Sequence, residues 1–250
     1  MTSKSLRHSR SHAFTLAAAT LVFSPYAQSE SLVDSALRFF IGNDSNTPSF
    51  DLDKSRPAPV TADFKAQVVN SLPKEGRITR FNEPQRRKLE SLDAILQLHQ
   101  RQSVYEYTVF KSDPMSYAFI GLRYRAALFI SDVALNLLDV EELQASVAHE
   151  IGHEYVWAEY LEGEKRNDER GLKRLELICD GIAILTLRRA GIGPAPLLIA
   201  AQKITNYNRL TGPPANTSRY PSADERKRFA QAICDWADSR REPGDKGRNL

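Results

Sequence analysis

The sequence predicts an α+β fold that is mainly helical, with a small β-sheet ahead of the principal helices. Residues 103–111, SVYEYTVFK, alternate and are rich in β-branched and aromatic residues, which is typical of a strand. Residues 117–122 (YAFIGL) and 126–131 (AALFIS) are shorter strand candidates. From Asp139 onward the apolar spacing becomes helical, and strands followed by several helices indicate the α+β class.

Length and composition fit one domain with a substantial core and some flanking chain. The 250 residues are 42% hydrophobic and 26% charged, values that are ordinary for a globular protein. Asp139 followed by Glu142 is a capping-box pattern, Gly42 and Gly191 are helix stops, and Ser222 is a candidate N-cap. Helices are predicted for residues 31–42, 83–100, 143–161, 172–191, 194–210 and 222–240.

The first 28 residues have the pattern of a secretory signal peptide. Residues 1–12 contain Lys4, Arg7 and Arg10 but no acid, residues 13–23 are uncharged and apolar, and small residues flank the expected cut. The apolar run is shorter than the roughly 20 residues of an ordinary membrane span; an uncleaved anchor is the alternative. The sequence then divides into an N-terminal helix and linker (29–80), a main domain (81–240) and a loose tail (241–250).

Net charge gives no support to a nucleic-acid partner. Removal of the signal peptide takes away three basic residues and no acid, so Lys plus Arg falls from 34 to 31 against 31 Asp plus Glu. A chain that binds DNA or RNA needs a basic face, and the mature chain is close to neutral. No later segment is apolar and long enough to span a bilayer.

The segment HEIGH, residues 149–153, is a candidate metal site. His149 and His153 are four residues apart on a predicted helix, so both imidazoles face the same side and can bind one ion. Glu150 is rotated by about 100° from His149, which suits contact with a water rather than the metal. A carboxylate in that position can take a proton from the water and pass it to a leaving amine.

A catalytic zinc needs a third protein ligand and one open position. Glu176 and Asp180 lie on the apolar stripe of the helix predicted at 172–191, where two buried carboxylates require a cation. A lysine or arginine could supply it, but a zinc ion held by two histidines fits better. We therefore predict Glu176 as the third ligand and Asp180 as the acceptor for a second ring N–H of a ligating histidine. Cys179 lies between them and is a less favoured ligand.

The other thiol, Cys234, leaves two alternatives open. An exported chain permits a disulfide between Cys179 and Cys234, and two free thiols are equally compatible with the sequence. His99 lies on the apolar face of the helix predicted at 83–100. A lone histidine there is more often packed than bound to a ligand.

These motifs resemble a known family. HEIGH followed by ELICD at 176–180 is similar to the gluzincin metallopeptidases, and more narrowly to the group of the heat-shock protease HtpX and the CAAX prenyl proteases, family forty-eight of the metallopeptidases. The segment from Ser116 through HEIGH also resembles that group. RYPSADERKRFA, residues 219–230, is similar to its later motif, which usually begins His-Pro-Ser. The resemblance covers roughly residues 100–235.

The resemblance implies a mainly helical zincin-like domain and a zinc-dependent endopeptidase with one Zn²⁺ per chain. Glu150 would be the general base, and His149, His153 and Glu176 the metal ligands. It also implies that an edge strand beside the cleft, here 126–131, pairs with an extended polypeptide substrate. Because this chain lacks the membrane spans of the group named above, it resembles the exported members, which implies a periplasmic or cell-envelope location and unfolded or misassembled envelope proteins as substrates.

Tyr220 stands where the family motif usually has histidine. Its hydroxyl could donate to a developing oxyanion in place of that histidine, or it could be a surface residue. Arg226 is either a structural partner for an acid or a second oxyanion donor.

Two other functions remain compatible with the sequence. A non-catalytic zinc-binding chaperone or assembly factor would use the same cleft, and the missing family histidine favours it, whereas the presence of Glu150 does not. An aminopeptidase would need an acid that anchors a free N-terminus, for which Glu154, Glu159 and Glu162 are the candidates.

Overall fold

A computed structural model of the chain describes residues 30–42, 49–72, 74–101, 106–110, 117–211 and 217–240. The predicted signal peptide, the ends of the strand predicted at 103–111 and the C-terminal tail lie outside these residues. Within them the protein is mainly helical with one small sheet, which confirms the α+β prediction.

The helices and strands follow one another in a simple order. The strands are β1 (Glu106–Phe110), β2 (Ile120–Arg123) and β3 (Ala127–Ser131), and a short 3-10 helix covers Thr217–Arg219. The α-helices are α1 (Leu32–Ile41), α2 (Ala62–Ser71), α3 (Glu83–Leu98), α4 (Asp132–Leu137), α5 (Val140–Tyr155), α6 (Trp157–Arg166), α7 (Glu169–Arg189), α8 (Ala195–Thr211) and α9 (Ala223–Ser239).

The predicted helix boundaries that rest on capping residues are confirmed. The Glu142 N–H donates to Asp139 Oδ1 and the Asp139 N–H donates to Glu142 Oε2, both at 2.9 Å, so this capping box begins α5. Ser222 caps α9 in the same way. Gly42 follows α1 with a φ of 92°, a backbone conformation that favours glycine.

The long helix predicted at 143–161 is two helices. It breaks at Val156, which has a φ of −122° and a ψ of 21°, and α6 begins at Trp157 without a side-chain cap. Val156 is almost fully buried, so packing of its side chain takes precedence over the helical pattern. The charged stretch at 163–171 is also largely helical, because α6 ends at a left-handed Asn167 and α7 begins two residues later.

The sheet has the strand order β1–β3–β2, with β1 parallel and β2 antiparallel to β3. Residues 127–131 therefore form the central strand, and both of its edges are paired. The prediction that the strand at 126–131 accepts an extended substrate is wrong, because no backbone groups remain there for a further strand. The Ile78 N–H donates to Val109 O beside β1, which leaves β2 as the open edge within the described residues.

The turn between β2 and β3 is held from outside the sheet. Tyr124 and Arg125 both have positive φ angles, 49° and 57°, which non-glycine residues rarely adopt. Arg125 donates to Glu154 Oε2 and to Ala58 O, so an ion pair with α5 and a contact with the preceding linker stabilise this turn.

The core is centred on α5 and α7 and extends to both ends of the described chain. Phe40 of α1 packs against Gly181 of α7, where a β-carbon would lie 2.5 Å from the phenyl ring. Val33 and Ala36 of α1 lie in the same buried cluster as Phe229 of α9. Residues before 81 thus share the core of the main domain. None of the helices among the described residues combines the length and apolar character needed to cross a membrane.

His99 is a packed core residue, as the sequence predicts for a lone histidine. It is 1% exposed, and its two ring nitrogens lie 2.9 Å from the Tyr155 hydroxyl and from Thr186 Oγ1. The Thr186 hydroxyl donates to Ile182 O, so it accepts from His99 Nε2–H, and Nδ1 accepts from Tyr155. Burial lowers the pKa of His99 to about 3, with the charge of Arg101 acting in the same direction, so the ring is neutral.

The close crossing of α5 and α7 requires a glycine at 152. A β-carbon there would lie 2.8 Å from Cys179 Cα, which is backbone and cannot rotate away. We expect Gly152→Ala to reduce the free energy of unfolding by about 1–3 kcal/mol, measured by urea denaturation of the metal-free protein. Gly193→Ala, where a β-carbon meets no atom within 4 Å, is the control. Equal stability of the two variants would contradict the close crossing.

His99 makes folding stability depend on pH. Its pKa is about 3 in the folded protein and about 6.5 in the unfolded chain. At a pH between these two values the unfolded chain binds one more proton than the folded protein, so the free energy of unfolding decreases as the pH falls. The free energy of unfolding is about 2 kcal/mol lower at pH 5 than at pH 7 because of this residue. We expect His99→Gln, which keeps a donor and an acceptor, to lose that part of the pH dependence in unfolding measurements. Identical slopes for wild type and variant would contradict a neutral buried His99.

Candidate metal centre

The site lies where α5 and α7 cross, and Gly152 sets the distance between them. The carbonyl oxygen of Cys179 would stand 3.0 Å from a β-carbon at Gly152, so the two backbones nearly touch. The crossing faces the side chains of His149 and His153 on α5 toward those of Glu176 and Asp180 on α7. Each pair is four residues apart and therefore extends from one side of its helix.

His149, His153 and Glu176 converge. His149 Nε2 lies 3.3 Å from Glu176 Oε2, His153 Nε2 lies 3.7 Å from Glu176 Oε1, and the three candidate ligand atoms all lie within 4.8 Å of one another. Ligands of a tetrahedral zinc ion stand about 3.3 Å apart, so small side-chain rotations suffice to bind a common ion. The structure brings together the three residues that the sequence predicts as ligands.

Asp180 fixes the orientation of His149. Its Oδ1 lies 2.8 Å from His149 Nδ1, which donates to the carboxylate and leaves Nε2 directed at Glu176. Arg226 of α9 neutralises this carboxylate, with Nη1 2.6 Å from Asp180 Oδ2 and Nη2 3.7 Å from Glu176 Oε2. Arg226 is therefore the structural partner of an acid, Asp180, which is one of the two roles that the sequence allows.

Charge balance at the site favours a bound dication. Glu176 and Asp180 are 3% and 2% exposed, and Glu150 is a third carboxylate beside them, whereas Arg226 is the one arginine bound to these acids among the described residues. With both imidazoles neutral, as metal coordination requires, three carboxylates and one guanidinium leave two negative charges to be balanced. Two imidazole nitrogens and a carboxylate oxygen are the donor set that zinc uses in catalytic sites.

The pKa values of the candidate ligands reflect the same geometry. Burial by itself would lower the pKa of His149, but its hydrogen bonds with Asp180 and Glu176 prevail and raise it to about 10. Burial would likewise raise the pKa of Glu176, but the hydrogen bond from His149 holds it at about 2. A proton is thus held between the Nε2 and carboxylate oxygen that would bind a metal. Burial lowers the pKa of His153 to about 4, so this ring is neutral and able to coordinate.

Glu150 lies beside the ligands and contacts the sheet. Its Oε2 accepts a hydrogen bond from the backbone N–H of Leu122, the third residue of β2, at 3.1 Å. Burial raises the pKa of Glu150 to about 7, and the nearby charge of Glu176 acts in the same direction. A carboxylate with a pKa near neutrality is suited to taking up and releasing a proton. No sequence signal marks the Leu122 contact, because a backbone amide makes it.

Two tyrosines border the site. The Tyr160 ring packs edge-on against His153 with ring centroids 4.9 Å apart, a contact that the sequence analysis missed. No sequence signal marks this contact, because His153 lies on α5 and Tyr160 lies on α6, beyond the break at Val156. Tyr220 is half-exposed, and its pKa is raised by burial and then by the nearby charges of Glu176 and Glu150. Its role as an oxyanion donor stays a prediction.

The cysteines do not join in a disulfide. Cys179 and Cys234 are both free, which decides between the two alternatives left by the sequence. Burial raises the pKa of the Cys179 thiol, which disfavours the thiolate that would bind zinc. Cys179 instead packs against Gly152 of α5.

Glu154 is bound to other residues and is not available to anchor a substrate N-terminus. Arg101 Nε donates to its Oε1 at 3.0 Å, and Arg101 and Arg125 both donate to its Oε2. Arg101 also donates to Pro57 O. This buried cluster ties the linker before α2 to α5, so its function is to hold chain segments together.

Comparison with known proteins identifies the segment that carries the two histidines. A sequence profile described as Peptidase family M48 matches residues 81–156, from the start of α3 through the end of α5. The match is less than a third of the 250 residues and includes His149, Glu150 and His153, whereas Glu176 and Asp180 lie beyond it. No curated protein matches the chain. The match and the converging ligands agree: residues 81–156 are similar to peptidase family M48, whose members are metal-dependent peptide hydrolases.

Proposed function

We propose that the protein is an exported zinc-dependent metalloendopeptidase that cleaves unfolded or misassembled polypeptides of the cell envelope. The observation that carries the proposal is the convergence of His149, His153 and Glu176 beside Glu150. Two imidazoles and one carboxylate leave a fourth position open, which is the arrangement of catalytic zinc sites.

Each residue has a defined chemical task. His149, His153 and Glu176 would hold the ion, and a bound zinc supplies a Lewis acid that acidifies water and polarises a peptide carbonyl. Glu150 takes a proton from the attacking water and passes it to the leaving amine. Asp180 keeps the Nδ1 proton on His149, so Nε2 is the nitrogen available for coordination. Tyr220 lies near enough to Glu176 and Glu150 for their charges to raise its pKa, and it is the candidate donor to the oxyanion.

An extended peptide can pair with β2. Backbone groups of alternate strand residues point to the same side, and Leu122 directs its N–H away from β3 toward Glu150. The N–H and C=O of Ile120 therefore point to the same open edge. Pairing along this edge needs a substrate segment with free backbone groups, which supports unfolded polypeptides as the substrate class.

The endopeptidase and export assignments rest on separate features. The most buried acid that could anchor a free N-terminus, Glu154, is bound by two arginines, which supports cleavage within a chain. The basic and apolar pattern of residues 1–28 supports export to the periplasm or cell envelope.

Replacement of Glu150 by glutamine separates catalysis from metal binding. We expect the purified wild-type protein to contain about one zinc per chain and to cleave an unfolded casein substrate, and a chelator to abolish cleavage. Glu150→Gln removes the base but no ligand, so it should retain the zinc and lose about 10²–10⁴-fold in kcat/KM. Elemental analysis and a fluorescent casein assay measure the two effects.

Glu141→Gln, an exposed acid in the first turn of the same helix, is the matched control and should leave both metal content and cleavage unchanged. If wild type and Glu150→Gln bind casein equally and neither cleaves it, the non-catalytic chaperone hypothesis is supported instead. Wild-type protein that binds no zinc would contradict both.

Asp180→Asn tests how His149 is positioned. The amide is isosteric but uncharged and can offer a donor to Nδ1, which allows the wrong tautomer of the ring. We expect zinc affinity to fall about 10–100-fold, measured by competition with a chromogenic chelator. Asp168→Asn, which changes an N-cap on the same helix, is the control. Unchanged zinc affinity in Asp180→Asn would show that the contact with His149 does not matter for binding.

A further inference from the structure

The open edge of β2 is closed at one end by a side chain of α8. The Ala118 N–H donates to Asn208 Oδ1 at 2.9 Å, and Asn208 Nδ2 donates to Ala118 O at 2.8 Å. One amide side chain thus satisfies both backbone groups of Ala118, as a residue of a neighbouring strand would. Ala118 is fully buried and Asn208 is half-buried, so the Asn208 side chain covers Ala118 at this end of the edge.

Ala118 lies on the same edge as the groups proposed to bind substrate. The Phe119 N–H donates to Ser131 Oγ and Phe119 O accepts from the Ser131 N–H, so Phe119 faces β3. By alternation, Ala118, Ile120 and Leu122 face the opposite edge. Asn208 occupies this edge at Ala118, and Glu150 occupies the N–H of Leu122. Among the residues that the structure describes, no partner occupies the N–H and C=O of Ile120 or the C=O of Leu122, which lie between these two side chains.

We infer that Asn208 is a specificity-determining residue. It ends the open edge of β2 at Ala118, so on that side of the cleaved bond a substrate peptide can pair only with Ile120 and Leu122. The inference rests on the proposed peptidase function. An antiparallel peptide is the more stable partner for β2, and its residues C-terminal to the bond opposite Leu122 run toward Ala118. The peptide must leave the strand after the residue opposite Ile120, because Asn208 already binds the next outward pair of backbone groups.

If Asn208 ends the open edge, kcat/KM should depend on the length of the peptide. In a fluorogenic series with about two to six residues after the cleaved bond, wild-type kcat/KM should rise to a plateau at about three residues. Asn208→Ala frees the N–H and C=O of Ala118. Peptides long enough to reach this residue should then have a kcat/KM about threefold to tenfold higher than that of the short peptides. Asn206→Ala, an exposed asparagine on the same helix, is the control and should keep the wild-type plateau.

The length profile separates this role from a structural one. If Asn208 only fixes β2 to α8, Asn208→Ala lowers kcat/KM equally for all lengths and leaves the plateau in place, which would overturn the inference. Should Asn208→Ala fail to fold in a thermal unfolding test, Asn208→Asp keeps the acceptor for the Ala118 N–H but frees its C=O, and a smaller extension of the plateau is expected. A wild-type protein that cleaves no peptide of any length would overturn the proposed function itself.

Discussion

The neutralisation of two carboxylates buried on α7 is the constraint on which the rest of the structure depends. Glu176 and Asp180 lie on a helix face that is otherwise apolar and packed, where an unpaired charge costs several kcal/mol. Their partners come from two different helices, the imidazoles of α5 and the guanidinium of Arg226 on α9. The polar centre therefore holds three helices in one arrangement, and the same groups form the donor set of a metal site.

Close packing makes this arrangement possible. Gly152 allows α5 to approach the backbone of α7 at Cys179, and Gly181 gives Phe40 of α1 a place on the other side of α7. Alanine at either position would displace a neighbour. The short distances between His149, His153 and Glu176 depend on the backbone contact at Gly152. The sheet adds a further contact, because the Leu122 amide holds Glu150 next to these ligands. The candidate metal ligands, Glu150 and the edge strand β2 are thus joined through α5.

Much of the site could be predicted from the sequence because its signals are local. The His149–His153 spacing lies within one helical turn, the Asp139–Glu142 capping box begins the helix, and Glu176 and Asp180 stand out as charges on an apolar stripe. The strand order could not be predicted in this way. Residues 117–122 and 126–131 have similar short apolar patterns, and periodicity does not state which strand lies at the edge of a sheet.

The missed features share a physical cause, which is that tertiary contacts override or bypass local patterns. The helix break at Val156 has no glycine or proline to signal it and depends on burial of that side chain. The contact between Leu122 and Glu150 uses a backbone amide, and the tight turn at Tyr124 and Arg125 lacks the glycine or asparagine that usually marks positive φ angles. The pairing of Arg226 with Asp180 was one of two alternatives that only the three-dimensional structure could separate.

The central claim is that one metal ion is held jointly by α5 and α7. An anomalous-difference map from crystals of the metal-loaded protein, recorded on both sides of the zinc absorption edge, tests it most directly. We expect a single peak about 2.0–2.2 Å from His149 Nε2, His153 Nε2 and a Glu176 oxygen. A fully occupied peak elsewhere, or one with Cys179 in place of Glu176, would contradict it.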